Sequence, residues 1–175
     1  MSRLWPNTRK PSVLSAVARI IHSPERRGAV DNTAWTLEEL AYLAGIIDGE
    51  GCISLSTGKT SRRIRHSTQV FIGNTDERLI HWLHQRFGGS IGVRQRQNAS
   101  HKPLWYWLVS GAAIEPILRA TLPYLRLKHA QACLVLEYRS TIAPIGSNQP
   151  TPVEVVSQRE QLKSNLSVLN HRGVA

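Results

Sequence analysis

The sequence predicts an α+β domain of order αββαββα with a further C-terminal helix, in which one antiparallel sheet carries its helices on one face and leaves the other polar and open. Three observations predict it. Two pairs of short stretches alternate apolar with polar residues, and each pair is followed by a stretch of helical periodicity. The 175 residues amount to one ordinary domain, and a hydrophobic fraction of 41% suffices for a core, which excludes disorder throughout. No run approaches the roughly 18 uninterrupted apolar residues of a membrane helix, so no membrane partner is expected.

Residues 1–33 read as an appendage: Pro6, Pro11 and Pro24, scattered Arg and Ser, and one short apolar stretch, Val13 to Ile21, that contains Arg19. Rich in Arg and poor in acids, this extension suits an organellar transit sequence or a flexible basic arm equally well. The domain, 34–175, becomes ordered at Trp35. Thr36 followed by Glu39 is a capping box, Trp35 and Leu40 can staple it, and a helix should run from about 37 to 49. Gly49 and Gly51 end it. Cys52 to Gly58 alternates Ile53 and Leu55 with Ser54 and Ser56, the period of a half-buried strand. After a basic turn, Arg65 to Gly73 is its hairpin partner, with Val70 and Ile72 inward and Arg65, Ser67 and Gln69 outward, because the opposite parity would bury Arg65.

Asn74 with Glu77 marks a second helix start, and Leu79, Ile80, Leu83 and Phe87 form its stripe up to the Gly88-Gly89 stop. Ile91 to Gln97 and the aromatic Leu104 to Val109 form the second strand pair. Helical patterns follow at about 111–121, 127–141 and 152–169, the last with Thr151 as cap, Pro152 first and Glu154 third.

Charge is distributed unevenly. The chain carries 22 Lys and Arg against 12 Asp and Glu, a net charge of +10, with pI near 10.4. Residues 58–128 alone hold twelve basic and three acidic groups, whereas 34–57 contain no Lys or Arg and the four acids Glu38, Glu39, Asp48 and Glu50. A cationic body around one anionic island implies a polyanionic partner, of which nucleic acid is commoner than a lipid surface. Cys52 and Cys133 are far apart and form neither a disulfide framework nor a zinc site, so an intracellular, reducing setting is expected, whether bacterial cytoplasm or organelle matrix.

Within the island the first helix reads Leu43-Ala44-Gly45-Ile46-Ile47-Asp48-Gly49-Glu50-Gly51. A helix-interior glycine costs about 1 kcal/mol relative to alanine. Gly45 and Gly49, spaced i, i+4, share a face on which another backbone can approach closely. Asp48 and Glu50 stand at the helix C-terminus, where the dipole disfavours carboxylates; something positive must compensate, and a hard divalent cation does so.

This stretch resembles the signature of the LAGLIDADG homing endonucleases: it keeps the first three residues, both acidic positions and the closing glycine. The resemblance extends over roughly 35–170, most nearly to single-motif, intron-encoded, homodimeric members of the algal chloroplast type. It implies that Glu50 is the catalytic acid, standing where the motif has Asp, and that Glu50 and the Gly49 carbonyl hold divalent metal. Pro123-Tyr124-Leu125-Arg126-Leu127-Lys128 resembles the segment of the family's active-site lysine, which makes Lys128 catalytic; the bland alternative is a cation opening a helix against its dipole. Asn74 is either the polar catalytic residue after the second strand or only a helix cap. Arg94 and Arg96 resemble an arginine pair on DNA-facing strands.

One motif without a second copy implies a homodimer with Gly45, Asp48 and Gly49 at the interface. The implied activity is site-specific hydrolysis of both strands of a long pseudo-palindromic DNA with Mg²⁺, which fits an oxygen-only site of few protein ligands. The outer strand face, with Ser54, Ser56, Arg65, Ser67, Gln69, Arg94 and Arg96, enters the major groove. The alternatives are a maturase binding intron RNA and a non-cleaving DNA-binding regulator of the same fold; the retained Glu50 and Lys128 speak against the second. His81 and His84 have no third ligand nearby, which favours a solvated face over a metal pair. Trp105, Tyr106 and Trp107 can stack on bases or, for alternate members, fill the core.

Overall fold

The computed structural model describes residues 35–59, 64–95, 101–142 and 151–171. The basic extension of 1–33 and Arg96 lie outside the described residues. The first helix, α1 (Leu37–Glu50), begins with both halves of the capping box: Thr36 Oγ1 accepts the Glu39 N–H at 3.2 Å and Glu39 Oε2 accepts the Thr36 N–H at 3.0 Å. Its inner face buries Leu40, Leu43, Ala44, Ile46 and Ile47. Strands β1 (Gly51–Lys59) and β2 (Ile64–Asn74) pair antiparallel from Gly51 opposite Ile72 to Lys59 opposite Ile64.

Helix α2 (Glu77–Phe87) follows and ends at Gly88 and Gly89, both at positive φ. A side chain at Gly89 would put Cβ 2.7 Å from the Leu108 carbonyl oxygen, so this turn admits only glycine. Strands β3 (Ser90–Arg94) and β4 (Leu104–Ser110) complete an antiparallel sheet of order β1-β2-β4-β3. Helices α3 (Ile114–Thr121), α4 (His129–Ser140) and α5 (Val153–Asn170) come last. The expected α+β architecture is therefore present. Among the described residues no helix is long and apolar enough to cross a membrane.

One core lies between sheet and helices. Ile53, Val70, Ile72, Trp107 and Val109 face it from the strands, and Leu43, Ile47, Ile80, Leu83, Ile117, Leu118 and Val135 from the helices. Trp107 is wholly buried, and its Nε1 donates to the Gly88 carbonyl at 2.7 Å, which locks the glycine turn to β4. The expected parity of the hairpin holds: Ile53 stands opposite Val70 on the core side, and Ser54 opposite Gln69 on the other. A clamp that the sequence did not reveal joins α1 to α2. Trp35 Nε1 donates to the Arg86 carbonyl at 2.9 Å, and the Arg86 guanidinium grips both oxygens of Glu39, at 2.5 and 2.6 Å.

Two caps differ from expectation. The cap of α2 is Asp76, whose Oδ1 accepts the Arg78 N–H at 2.9 Å; Asn74 is still in the β2–β4 ladder, opposite Trp105, and so cannot cap a helix beginning at Glu77. At α5 Pro152, extended at ψ 147°, is the cap residue and Val153 the first helical one, which leaves Thr151 out of reach.

Candidate functional site

The end of α1 is an electrostatic problem, because the last carbonyls of a helix lack intrahelical partners and carry its negative pole. The Gly51 N–H takes the carbonyls of Ile46 and Ile47. Lys128, just ahead of α4, reaches back so that its Nζ donates to the Ile47 carbonyl at 2.8 Å and to that of Asp48 at 2.5 Å. The Asp48 carboxylate points the opposite way: Oδ2 accepts the Arg126 N–H at 2.7 Å and Oδ1 the Lys128 N–H at 2.9 Å. The two residues thus form a reciprocal clasp, each side chain satisfying the other's backbone. Burial pushes the Asp48 carboxyl up, but the N–H groups of Arg126, Lys128 and Leu127 and the Lys128 charge outweigh it and hold the group below its ordinary range. The positive charge needed beside Asp48 is therefore this chain's own rather than a metal's. Lys128 does stand at the mouth of a helix, but its charge serves the C-terminus of another.

Glu50, the last residue of α1, is exposed, and among the described residues no donor reaches its carboxylate. With the Gly49 and Glu50 carbonyls left at the negative pole, this is an oxygen-only donor set that fits a hard divalent cation. Among the described residues no three His, Cys, Asp or Glu cluster, so one chain offers this end of the helix a single side-chain carboxylate and backbone oxygens, the sparse donor set that Mg²⁺ with its retained waters accepts. His81 is exposed against Trp105, at 5.7 Å between ring centroids, and belongs to no such cluster.

Gly45 and Gly49 lie on the exposed face of α1, and a Cβ built at either meets nothing within 4 Å. Among the described residues nothing requires them to be glycine. Tyr42, one turn before Gly45, is 56% exposed on the same side.

The sheet's other face carries the polar residues expected there. Gln69 Nε2 donates to Ser54 Oγ at 3.0 Å, and Ser56 Oγ to the Ser67 carbonyl at 3.4 Å. Arg65 stands opposite Gly58 in the register, and its side chain lies outside the described residues. Arg94 is exposed at the end of β3, with its guanidinium over the rings of Phe71 and Tyr106. The aromatic run divides by parity: Trp107 fills the core and Trp105 packs against it, while Tyr106, opposite Gly73 and Gly92, is on the open face. Asn74 shares the parity of Ile72 and uses Oδ1 to accept the Asp76 N–H at 2.8 Å. It makes a turn, not a cap, and among the described residues no hydrogen bond joins it to Glu50 or Lys128. Sequence reasoning missed Phe71 and the role of Gly92, although a glycine inside a strand was the available signal.

No family model matches the chain. Among curated proteins it is similar to DNA endonuclease I-CvuI of Chlorella vulgaris, 32% identical over 57% of this chain and 62% of that protein, a share under two thirds. It is also similar to DNA endonuclease I-CreI of Chlamydomonas reinhardtii, 31% identical over 75% of this chain and 80% of that one. Among solved structures it resembles I-CvuI bound to the I-CreI target with Mg, at TM-score 0.63 and 22% identity over 78% of this chain and 84% of that one. The archaeal intron-encoded homing endonuclease I-Vdi141I complexed with DNA gives 0.62 and 14% over 78% and 87%. The LAGLIDADG homing endonuclease I-SmaMI, bound to cleaved DNA, gives 0.59 and 16% over 94% of this chain but only 55% of that one. At these identities the structural likenesses show a shared fold.

Proposed function

The chain belongs to the LAGLIDADG homing endonucleases, and we propose that it is a homodimeric, divalent-metal-dependent endonuclease that cuts both strands of a long, pseudo-palindromic DNA site in an intracellular, reducing compartment. One observation carries this reading: among the described residues Glu50 is an unengaged carboxylate at the end of a helix whose exposed face carries two glycines that nothing there requires. A second copy of α1 laid against Gly45 and Gly49 gives those glycines their reason and brings two Glu50 carboxylates to a shared two-fold axis.

Glu50 and the Gly49 carbonyl of each subunit would hold the metal, Mg²⁺ by the hardness of this donor set. When bound, such an ion supplies Lewis acidity toward the scissile phosphate and lowers the pKa of an attacking water. Lys128, held at the same helix end by the clasp, offsets negative charge on the phosphate. The open sheet face meets the major groove, where a two-stranded ribbon reads all four base pairs. β1, at nine residues and roughly 3.3 Å each, spans roughly 30 Å, or roughly nine base pairs per subunit.

The test is selection of cleaved sites from a random-sequence DNA library in Mg²⁺. A two-fold-related consensus of roughly twenty base pairs, cut in both strands, is expected. Tight binding of intron RNA without nicking of any DNA would replace this reading with the maturase.

A further inference from the structure

Arg94 is not a free surface arginine. Its guanidinium carbon lies 5.2 Å from the centroid of Tyr106 and 5.6 Å from that of Phe71, and those two rings stack on each other at 5.6 Å and 24°. The platform depends on a glycine. Gly92 stands opposite Tyr106 in the β3–β4 register, and a Cβ there would lie 2.4 Å from the Tyr106 Cζ and Oη, so the ring lies across a strand position that has no side chain. Arg94, two residues along and on the same face, then extends over both rings. Among the described residues no carboxylate pairs with it.

We infer that Gly92, Tyr106 and Phe71 are positioning residues that hold the Arg94 guanidinium edge-out for bidentate contact with the O6/N7 edge of one guanine in each half-site. The inference rests on the DNA-reading role proposed for this sheet face and adds which base is read and what enforces it. A guanidinium held over aromatic rings is restricted in where it can point, and its planar fork of donors matches a planar bidentate acceptor. Much of the rotamer freedom that a long side chain loses on contact is already lost in the free protein, so discrimination does not have to overcome that entropy. A phosphate could accept from the same donors, but it carries no base identity, and this distinction decides the test.

Binding-site selection from a library randomised across one half-site is run on the wild type and on Gly92→Ala, Tyr106→Leu and Tyr106→Phe, with affinities then measured on the selected site and its three single-base variants at the Arg94 position. Wild type should prefer guanine there by roughly tenfold or more, the scale of one bidentate contact. Gly92→Ala and Tyr106→Leu should cut that preference several-fold and leave preferences elsewhere intact, whereas Tyr106→Phe, which keeps the ring, should retain it. Should Gly92→Ala misfold, the Tyr106 pair still decides. Preference for guanine that survives Tyr106→Leu overturns the platform alone. A uniform loss of affinity on every sequence overturns it in favour of a phosphate clamp, and wild-type protein that binds no DNA sinks the sheet-face reading itself.

Discussion

A lysine ahead of a helix works against that helix's dipole, yet Lys128 directs its ammonium to carbonyls at the C-terminus of α1, where a cation is favoured. Asp48 and Lys128 therefore support the fold as well as the site, whereas Glu50 has no partner among the described residues. Mutation should separate the three. Lys128→Ala removes hydrogen bonds from a charged donor, each worth roughly 1.5–3 kcal/mol, and should lower the melting temperature as well as slow single-turnover cleavage, with little change in DNA affinity. An unchanged melting temperature would mean that the clasp does not form in solution. Glu50→Gln should leave stability and binding near wild type and abolish cleavage in Mg²⁺. Cutting at a normal rate by this variant would remove Glu50 from the chemistry.

Elements were legible in the sequence where their determinants are local. The capping box of α1 lies within four residues, and the hairpin parity follows from alternation and the position of Arg65, so both could be read directly. The start of α2 could not, because Asn74 and Asp76 are both good cap residues and the choice between them is made by a ladder partner, Trp105, some thirty residues on. The clasp was hidden for the same reason, since its partners are separated by 80 residues. The true cap carries a testable pH dependence. The Arg78 guanidinium and its N–H bring the Asp76 carboxyl from its ordinary 3.8 to about 2. A folded-state pKa that is depressed adds stability that is fully present above the unfolded value and is lost as pH falls through the folded one. Asp76→Asn keeps a capping oxygen but not the charge, so it should melt below wild type at neutral pH, with the difference closing between about pH 4 and pH 2. A difference constant across that window would show that the ion pair does not contribute.

For the whole molecule, the question is whether two copies act together and how they hold DNA. Gly45→Leu is informative because a Cβ there meets nothing within 4 Å among the described residues, and leucine is the better helix former, so the subunit should fold at least as well. Sedimentation should nevertheless find a monomer without cleavage activity. A wild type that sediments as a monomer, alone and on DNA, would end the two-fold reading. The electrostatic counterpart follows from residues 58–128, whose twelve basic and three acidic groups leave +9 on each subunit. Each phosphate neutralised releases counterions and contributes about 0.9 to the slope of log affinity against log salt, so a pair of subunits engaging about half of this charge should give a slope of roughly −8. Arg94→Ala should change that slope by less than about one unit while altering base preference, because a base contact releases no condensed counterion. Titrations of both proteins between low and physiological salt distinguish the cases. A flat wild-type dependence would mean that the cationic surface does not track a DNA backbone. A full unit of slope lost with Arg94, and no shift in base preference, would assign that arginine to a phosphate.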